Sequence, residues 1–289
     1  MNLGVLGASG LVGSHVVQAA NARGWQVRGY PRQQAPLHDL QGLRALAHQH
    51  DVVINAAAYT AVDAAETHEA QAFAANALGA AHVAEACADA HTRLVHLSTD
   101  YVFGGDATLP YLHSDVPAPR TAYGRTKVAG EWAVTASGCS ALIVRTAWLY
   151  GAGARNFPEA IKAALASRDT LEVVNDQTGN PTWAHDLSHG LLDLLSADAD
   201  DGIYHLTNGG QATWFDFARA LCEQWGEDPD RIRPTSSHAF PRPAPRPAWS
   251  VLDGRRAEAW GVRLRHWRES LAAASDVGVW GEVTDRPGV

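Results

Sequence analysis

The first half of this chain alternates, and that alternation limits what it can fold into. Short apolar runs recur at Asn2–Leu6, Trp25–Tyr30, Asp51–Asn55, Arg93–Leu97 and Ala141–Thr146, and helical patterns fill the gaps between them. The spacing predicts helices from Leu11 to about Arg23, stopped by Gly24, over Gln41–Gln49, over an Ala-rich stretch Glu66–Ala90 with a break near Gly79, and over Thr121–Thr135. Strands that are apolar on both faces and separated by helices of this length belong to βαβ units, which assemble a parallel sheet covered on both sides. The expected fold is therefore α/β, a Rossmann-type doubly wound parallel sheet.

Beyond Leu149 the rhythm loosens. Leu171–Asp176 and Gly202–Thr207 still read as strands, and His185–Leu195 and Thr213–Trp225 as helices. The stretch FPRPAPRP, Phe240–Pro247, excludes a helix and favours an extended path. Most of the tryptophans also fall here. The simplest division is a dinucleotide-binding domain, 1–148 plus about 171–200, and a smaller C-terminal α/β substrate lobe, 149–170 plus about 201–289.

A formal charge of −8 argues against a nucleic-acid surface. No apolar run has the length to span a bilayer, and the N-terminus lacks the basic and apolar segments of a signal peptide. The three cysteines, Cys87, Cys139 and Cys222, are scattered and odd in number, which implies neither a disulfide framework nor a zinc site and points to a cytoplasmic setting. The histidines form no HExxH pair, so no metal site is expected.

GASGLVG, Gly7–Gly13, lies between the first strand and the first helix. Glycines there permit a tight turn and let a pyrophosphate approach the helix N-terminus, so Gly7, Gly10 and Gly13 are candidates for binding a dinucleotide. The acidic residue expected at the end of the second strand, for the adenine ribose, is replaced by Tyr30, flanked by Arg28 and Arg32. A cation at this point suits a ribose 2′-phosphate, which favours NADPH and leaves NADH as the alternative.

YGRTK places Tyr123 and Lys127 four residues apart, on one face of a helix. A phenol of pKa about 10 donates a proton readily and accepts one poorly, and a neighbouring ammonium lowers that value. Upstream, STDYVFGG follows the fourth apolar run with hydroxyls and a carboxylate. Ligands bind at the carboxyl ends of strands in open parallel sheets, so Thr99 is placed to meet a substrate carbonyl while Tyr123 delivers the proton.

Together these residues resemble the extended short-chain dehydrogenase/reductases and, among them, the dTDP-4-dehydrorhamnose reductase family. The segments that carry the resemblance are INAAAYTAVDAAE (Ile54–Glu66), LSTDYVFGG (Leu97–Gly105), YGRTKVAGE (Tyr123–Glu131), RTAWLYG (Arg145–Gly151), VNDQTGNPT (Val174–Thr182) and RPAWSVLD (Arg246–Asp253). The resemblance implies Thr99, Tyr123 and Lys127 as a catalytic triad, with Tyr123 and Lys127 also at the nicotinamide ribose. It implies Gly10, Leu11 and Val12 at the pyrophosphate, Asp39 and Leu40 by the adenine, and Ala58, Tyr59 and Thr60 along the cofactor. Thr60, Val62, Thr99, Asp100 and Trp148 would contact a dTDP-linked 4-keto-6-deoxy sugar, and Arg246 its phosphate. The implied reaction is reduction of the C4 ketone of dTDP-4-dehydro-L-rhamnose, and a homodimer is left open. Two departures stand out: Tyr30, where some relatives carry an acid, and His113, where the family often has Glu. A 4-ketoreductase for another nucleotide-linked deoxysugar and a non-catalytic sugar-nucleotide-binding relative are the alternatives.

Overall fold

The computed structural model describes residues 1–153 and 156–279; the last residues of the expected substrate lobe, 280–289, lie outside them. The first half follows the expected alternation: β1 (Asn2–Leu6), α1 (Leu11–Ala22), β2 (Gln26–Tyr30), α2 (Leu40–Ala47) and β3 (Val52–Asn55). Then come α3 (Val62–Ala65), α4 (Glu69–Phe73), α5 (Gly79–Ala90), β4 (Arg93–Thr99), α6 (Ala122–Ala136) and β5 (Ala141–Thr146). The second half adds β6 (Leu149–Tyr150), α7 (Phe157–Leu165), β7 (Leu171–Val174), β8 (Thr178–Gly179), β9 (Thr182–Trp183), α8 (Ala184–Ser196), β10 (Gly202–His205), β11 (Ala212–Thr213), α9 (Trp214–Trp225) and β12 (Ile232–Thr235).

Six strands form one parallel sheet in the order β10-β5-β4-β3-β1-β2. Its inner strands are apolar because both faces are covered. Val12, Val16, Ala19 and Ala20 of α1 and the leucines of α8 pack on one face against Leu3, Val5, Ile54 and Val95. Leu43 and Leu46 of α2, Val83 and Cys87 of α5, and Val134 of α6 cover the other, against Leu6, Val53, Leu94 and Ile143. The order changes direction between β1 and β3, and that crevice at the carboxyl ends is where such sheets bind ligands.

Three expectations change. The helix expected over Glu66–Ala90 starts at Glu69 and runs to Ala90 without a break, a π-helical turn, Ala74–Leu78, joining α4 to α5. Gly79 does not break it: its φ of −60° is helical, and a Cβ there would meet Leu37 Cδ1 at 2.8 Å, so glycine serves close packing. The fourth strand runs on through Ser98 and Thr99, which carries both hydroxyls to the sheet's rim. The boundary between lobes also moves. β10 pairs with β5 and belongs to the main sheet, whereas β7 pairs with β12 outside it. Local pattern cannot choose a strand's partner, and these two strands chose partners on opposite sides of the expected division. The smaller lobe has its own core, with Ile161, Leu165, Leu171, Val173, Ala218 and Ile232 in one cluster and Tyr150, Trp183, Phe217 and Trp267 in another.

Candidate active site

The glycine loop opens α1 from the end of β1. Gly7 has φ +74°, and a Cβ on it would lie 2.7 Å from Ala57 N. A Cβ on Gly13 would overlap the Gly7 carbonyl oxygen. Gly10 is the N-cap of α1 and has no side chain to satisfy the first-turn N–H groups, while Leu11 and Val12 begin the helix. The loop is thus a cradle kept open by missing side chains, with helix-end donors facing it. Those features fit an anionic diphosphate.

At the end of β2, the Tyr30 carbonyl accepts from Gly7 N at 3.0 Å. Its phenol, buried, pairs with His50 Nε2 at 2.8 Å, and burial pushes its pKa up. The Tyr30 side chain is therefore spent inside the fold, and only its main chain borders the loop. The exposed residues here are Arg28, whose guanidinium sits 5.0 Å over the Tyr30 ring, and Arg32. Asp39 caps α2 by accepting from Gly42 N at 3.0 Å, and Leu40 is the helix's first residue.

Ala58, Tyr59 and Thr60 follow β3. Asn76 holds this loop: its Oδ1 accepts from Tyr59 N at 2.8 Å, and its Nδ2 donates to Tyr59 O and to Thr126 Oγ1, each at 3.0 Å. Asn76 sits in the π-helical turn, and the widened turn directs its buried amide toward both the loop and α6. Nothing in the sequence singled it out, because a π turn has no periodicity to read.

Thr99 ends β4. Its Oγ1 donates to Asp100 Oδ1 at 2.9 Å and accepts from Tyr101 N at 3.3 Å. Tyr123 is the second residue of α6, whose start is fixed by Thr121 accepting from Gly124 N at 2.9 Å. The Tyr123 phenol lies close enough to the Thr99 hydroxyl for it to influence its titration, and the ring packs edge-on against Tyr101, ring centroids 5.6 Å apart. Burial pushes this phenol up to about 12; the Thr99 hydroxyl pulls it down and the Asp100 charge pushes it further up. One turn on, Lys127 is buried and its Nζ donates to Leu97 O at 2.6 Å. Burial lowers its pKa to about 8, with the Glu131 carboxylate opposing. The sequence led us to expect Lys127 to draw the phenol toward neutrality. Within the protein alone burial dominates, Lys127 is bonded to a main-chain carbonyl, and Tyr123 stays protonated at neutral pH.

Asp100 is buried as well. Burial raises its carboxyl to about 6, opposed by Ser250 and by the Thr99 hydroxyl. Ser250 faces it without completing a hydrogen bond of good geometry. Behind the centre, buried Glu131 accepts from Ser98 Oγ at 2.5 Å, from Arg145 Nε at 2.9 Å and from Arg145 Nη2 at 2.7 Å.

Thr60, Val62, Thr99, Asp100, Tyr123, Trp148 and Arg246 all line one cavity of about 780 Å³. Residues far apart in sequence are thus brought to one surface, with Lys127 buried behind Tyr123. The proline-rich strap 240–247, bent at Phe240 and at Pro243–Ala244, also lines the cavity. Arg246 is not free: Nη2 pairs with Asp63 Oδ2 at 2.9 Å, and Nη1 donates to Ala244 O at 3.1 Å. His113 is half-buried away from this cavity, and its carbonyl meets Arg145 Nη1 at 3.4 Å. Among the described residues no group of three or more His, Cys, Asp or Glu could hold a metal ion, and no helix is long and apolar enough to cross a membrane.

A family model described as the RmlD substrate binding domain matches residues 1–278. A dTDP-4-dehydrorhamnose reductase of Mycobacterium tuberculosis is 43% identical over 276 residues, covering 93% of this chain and 91% of its own length. A dTDP-4-keto-6-deoxy-D-glucose reductase of Streptomyces niveus is 40% identical over 275 residues, covering 93% of this chain and 95% of its own. The crystal structure of a Bacillus anthracis dTDP-4-dehydrorhamnose reductase in complex with NADP has a TM-score of 0.90 at 30% identity, covering 94% of this chain and 98% of that one. Motifs, sheet order and near full-length similarity agree: the chain belongs to the RmlD substrate binding domain family of extended short-chain dehydrogenase/reductases.

Proposed function

We propose that this chain reduces the C4 ketone of dTDP-4-dehydro-L-rhamnose, with NADPH as reductant, to give dTDP-L-rhamnose. The observation that carries this reading is the convergence of Thr99 and a protonated, buried Tyr123 on one wall of a cavity that also holds Asp100 and Trp148.

Gly7, Gly10, Leu11, Val12 and Gly13 would hold the pyrophosphate of the cofactor. Arg28 and Arg32 would meet the 2′-phosphate beside the Tyr30 main chain, Asp39 and Leu40 would flank the adenine, and Ala58, Tyr59 and Thr60 would run along the dinucleotide. Lys127, with Tyr123, would hold the nicotinamide ribose. When bound, the reduced nicotinamide supplies a hydride to the carbonyl carbon. Tyr123 donates its proton to the oxygen as negative charge develops there; a phenol near 12 is protonated at neutral pH yet far more acidic than the alkoxide's conjugate alcohol. Thr99 stands beside that phenol and would meet the same oxygen; in the protein alone Asp100 accepts the hydrogen bond of the Thr99 hydroxyl. Asp100, Thr60, Val62 and Trp148 would surround the sugar, and Arg246, braced by Asp63, would face its phosphates.

In this reading the six-stranded sheet and its helices form the cofactor-binding domain, and α7, β7, α9 and β12 build the sugar lobe. The same reading takes the protein as a cytoplasmic homodimer, which light scattering of the purified protein would test. A second reading, reduction of a different dTDP-4-keto-6-deoxy sugar, draws support from the Streptomyces niveus relative. Consumption of NADPH with dTDP-4-dehydro-L-rhamnose, followed by NMR of the product, separates the two. Tyr123→Phe should remove most turnover and leave NADPH binding nearly intact; unchanged turnover would refute the assignment of the proton donor.

A further inference from the structure

Trp148 lies in the left-handed region, φ +47°. A bulky residue holds such a conformation only where its surroundings over-determine it. Its carbonyl accepts from Thr182 N at 3.1 Å, and the next residue, Leu149, pairs with Thr182 across β6 and β9. Its indole lies flat on the Trp214 indole, ring centroids 3.5 Å apart and planes 2° from parallel. A Cβ on Gly179 would sit 2.5 Å from both Trp148 Cε2 and Nε1, so only glycine leaves room for the ring.

The smaller lobe builds this slot. β8 and β11 pair with Gly179 opposite Ala212 and Thr178 opposite Thr213, which delivers Trp214 to the start of α9 beside Gly179. A capping box fixes that start: Thr213 Oγ1 accepts from Asp216 N, and Asp216 Oδ2 accepts from Thr213 N, each at 3.0 Å. Phe157 tilts against the Trp214 ring at 4.5 Å between centroids. Trp148, Trp214 and Phe157 all line the cavity that holds Thr99 and Tyr123.

We propose that Trp214 is a positioning residue for substrate: stacked against Trp148 and admitted by Gly179, it fixes from the smaller lobe the aromatic wall that the sugar ring meets. This rests on the reductase reading above. It also gives the VNDQTGNPT segment a physical task, since its glycine is the clearance for the indole.

The test uses the purified full chain and the variants Trp214→Ala, Trp214→Phe and Trp148→Phe. Indoles stacked in parallel at this distance couple, so the near-ultraviolet circular dichroism of the wild type should carry a paired band. Trp214→Ala and Trp148→Phe should each abolish it. Trp214→Ala should raise KM for the dTDP-keto sugar roughly tenfold while KM for NADPH stays near wild type, and Trp214→Phe should recover most of that loss. In the Trp148→Phe background, adding Trp214→Ala should cost little more, because the two residues act as one unit. Additive losses, a paired band that survives in Trp214→Ala, or equal losses for sugar and NADPH would overturn the proposal. If the wild type fails to turn over any dTDP-4-keto sugar, the reductase reading fails; the positioning role is then judged by the paired band and by affinity for dTDP-glucose, which must fall together in Trp214→Ala for it to stand.

Discussion

Replacing Glu131 by Gln removes one charge from the most buried ion pair in the described residues, and its cost follows from the contacts. Glu131 and Arg145 have side-chain exposures of 2% and 1%. The carboxylate receives Arg145 through both Nε and Nη2, and Ser98 adds a third donor. A glutamine keeps one oxygen and sets an amide NH₂ against a guanidinium that can only donate. Breaking one side of a buried pair leaves the other charge uncompensated, at about 3–5 kcal/mol. That is a large part of a total stability of roughly 5–15 kcal/mol. At about 2–4 °C per kcal/mol for a chain of this order, the midpoint should fall by roughly 10 °C. Thermal melts of Glu131→Gln against wild type measure that shift, and urea melts measure the free energy. The double variant Glu131→Leu, Arg145→Leu should be less destabilised than Glu131→Gln alone, because it leaves no buried charge behind. A catalytic consequence is tied to the same residue. Glu131 lies one turn past Lys127 and supports its ammonium against burial. Without it the Lys127 pKa should drop below about 8, and the alkaline limb of activity should move to lower pH. A Glu131→Gln variant within about 1 kcal/mol of wild type, with an unmoved alkaline limb, would refute the argument.

Lys127→Met should stabilise the protein at pH 7 while abolishing activity. The folded pKa of Lys127 lies near 8, below the ordinary 10.5, so the fold carries a cost that is complete below pH 8 and is relieved as pH rises toward 10.5. Removing the ammonium should recover up to about 3 kcal/mol in urea melts at pH 7, and a destabilised variant would count against a buried charge. The profile of kcat/KM against pH should be bell-shaped, with an acid limb near 6 from Asp100 and an alkaline limb near 8 from Lys127. Below 6 the carboxylate that accepts the Thr99 hydrogen bond becomes neutral; Asp100→Asn should flatten that limb, and a wild-type profile level down to pH 5 would exclude the role. Gly13→Ala places a methyl against the Gly7 carbonyl, which should weaken NADPH binding by roughly tenfold or more in a fluorescence titration.

The sheet was legible because each strand and helix announces itself locally. The apolar run of β1, the glycines after it and the start of α1 are contiguous, and their packing follows from their own stereochemistry. The same holds for Thr99, Tyr123 and Lys127, whose strand-end and helical spacing bring them together once β4 and α6 exist. What escaped the sequence depends on partners far along the chain. Asn76 reaches Tyr59 and Thr126 through a turn with no periodic signature. β10 joins β5, and β7 joins β12, with nothing in either strand to name its neighbour. Tyr30, expected beside the cofactor, keeps its main chain at the glycine loop and puts its phenol on His50, whose approach becomes visible only when β2 and β3 flank β1.

The same distinction governs the chemistry. Residue type and spacing identify the phenol, the ammonium and the alcohol, but protonation is set by what surrounds them. Tyr123 lies high because the fold removes water from it, and Lys127 lies low for the same reason, so burial moves the two pKa values away from each other's expected direction of influence. A protonated phenol at the cavity wall suits reduction, where a proton must be delivered to an oxygen that is gaining charge. The other wall comes from the smaller lobe, through the Trp214 stack and through the Arg246–Asp63 pair that ties the strap to α3. The proposed proton donor packs with Ala65 and Ala72, whereas the Trp214 stack rests on the clusters of the smaller lobe. Substitutions in the smaller lobe should change which sugar is accepted well before they change whether Tyr123 can protonate it.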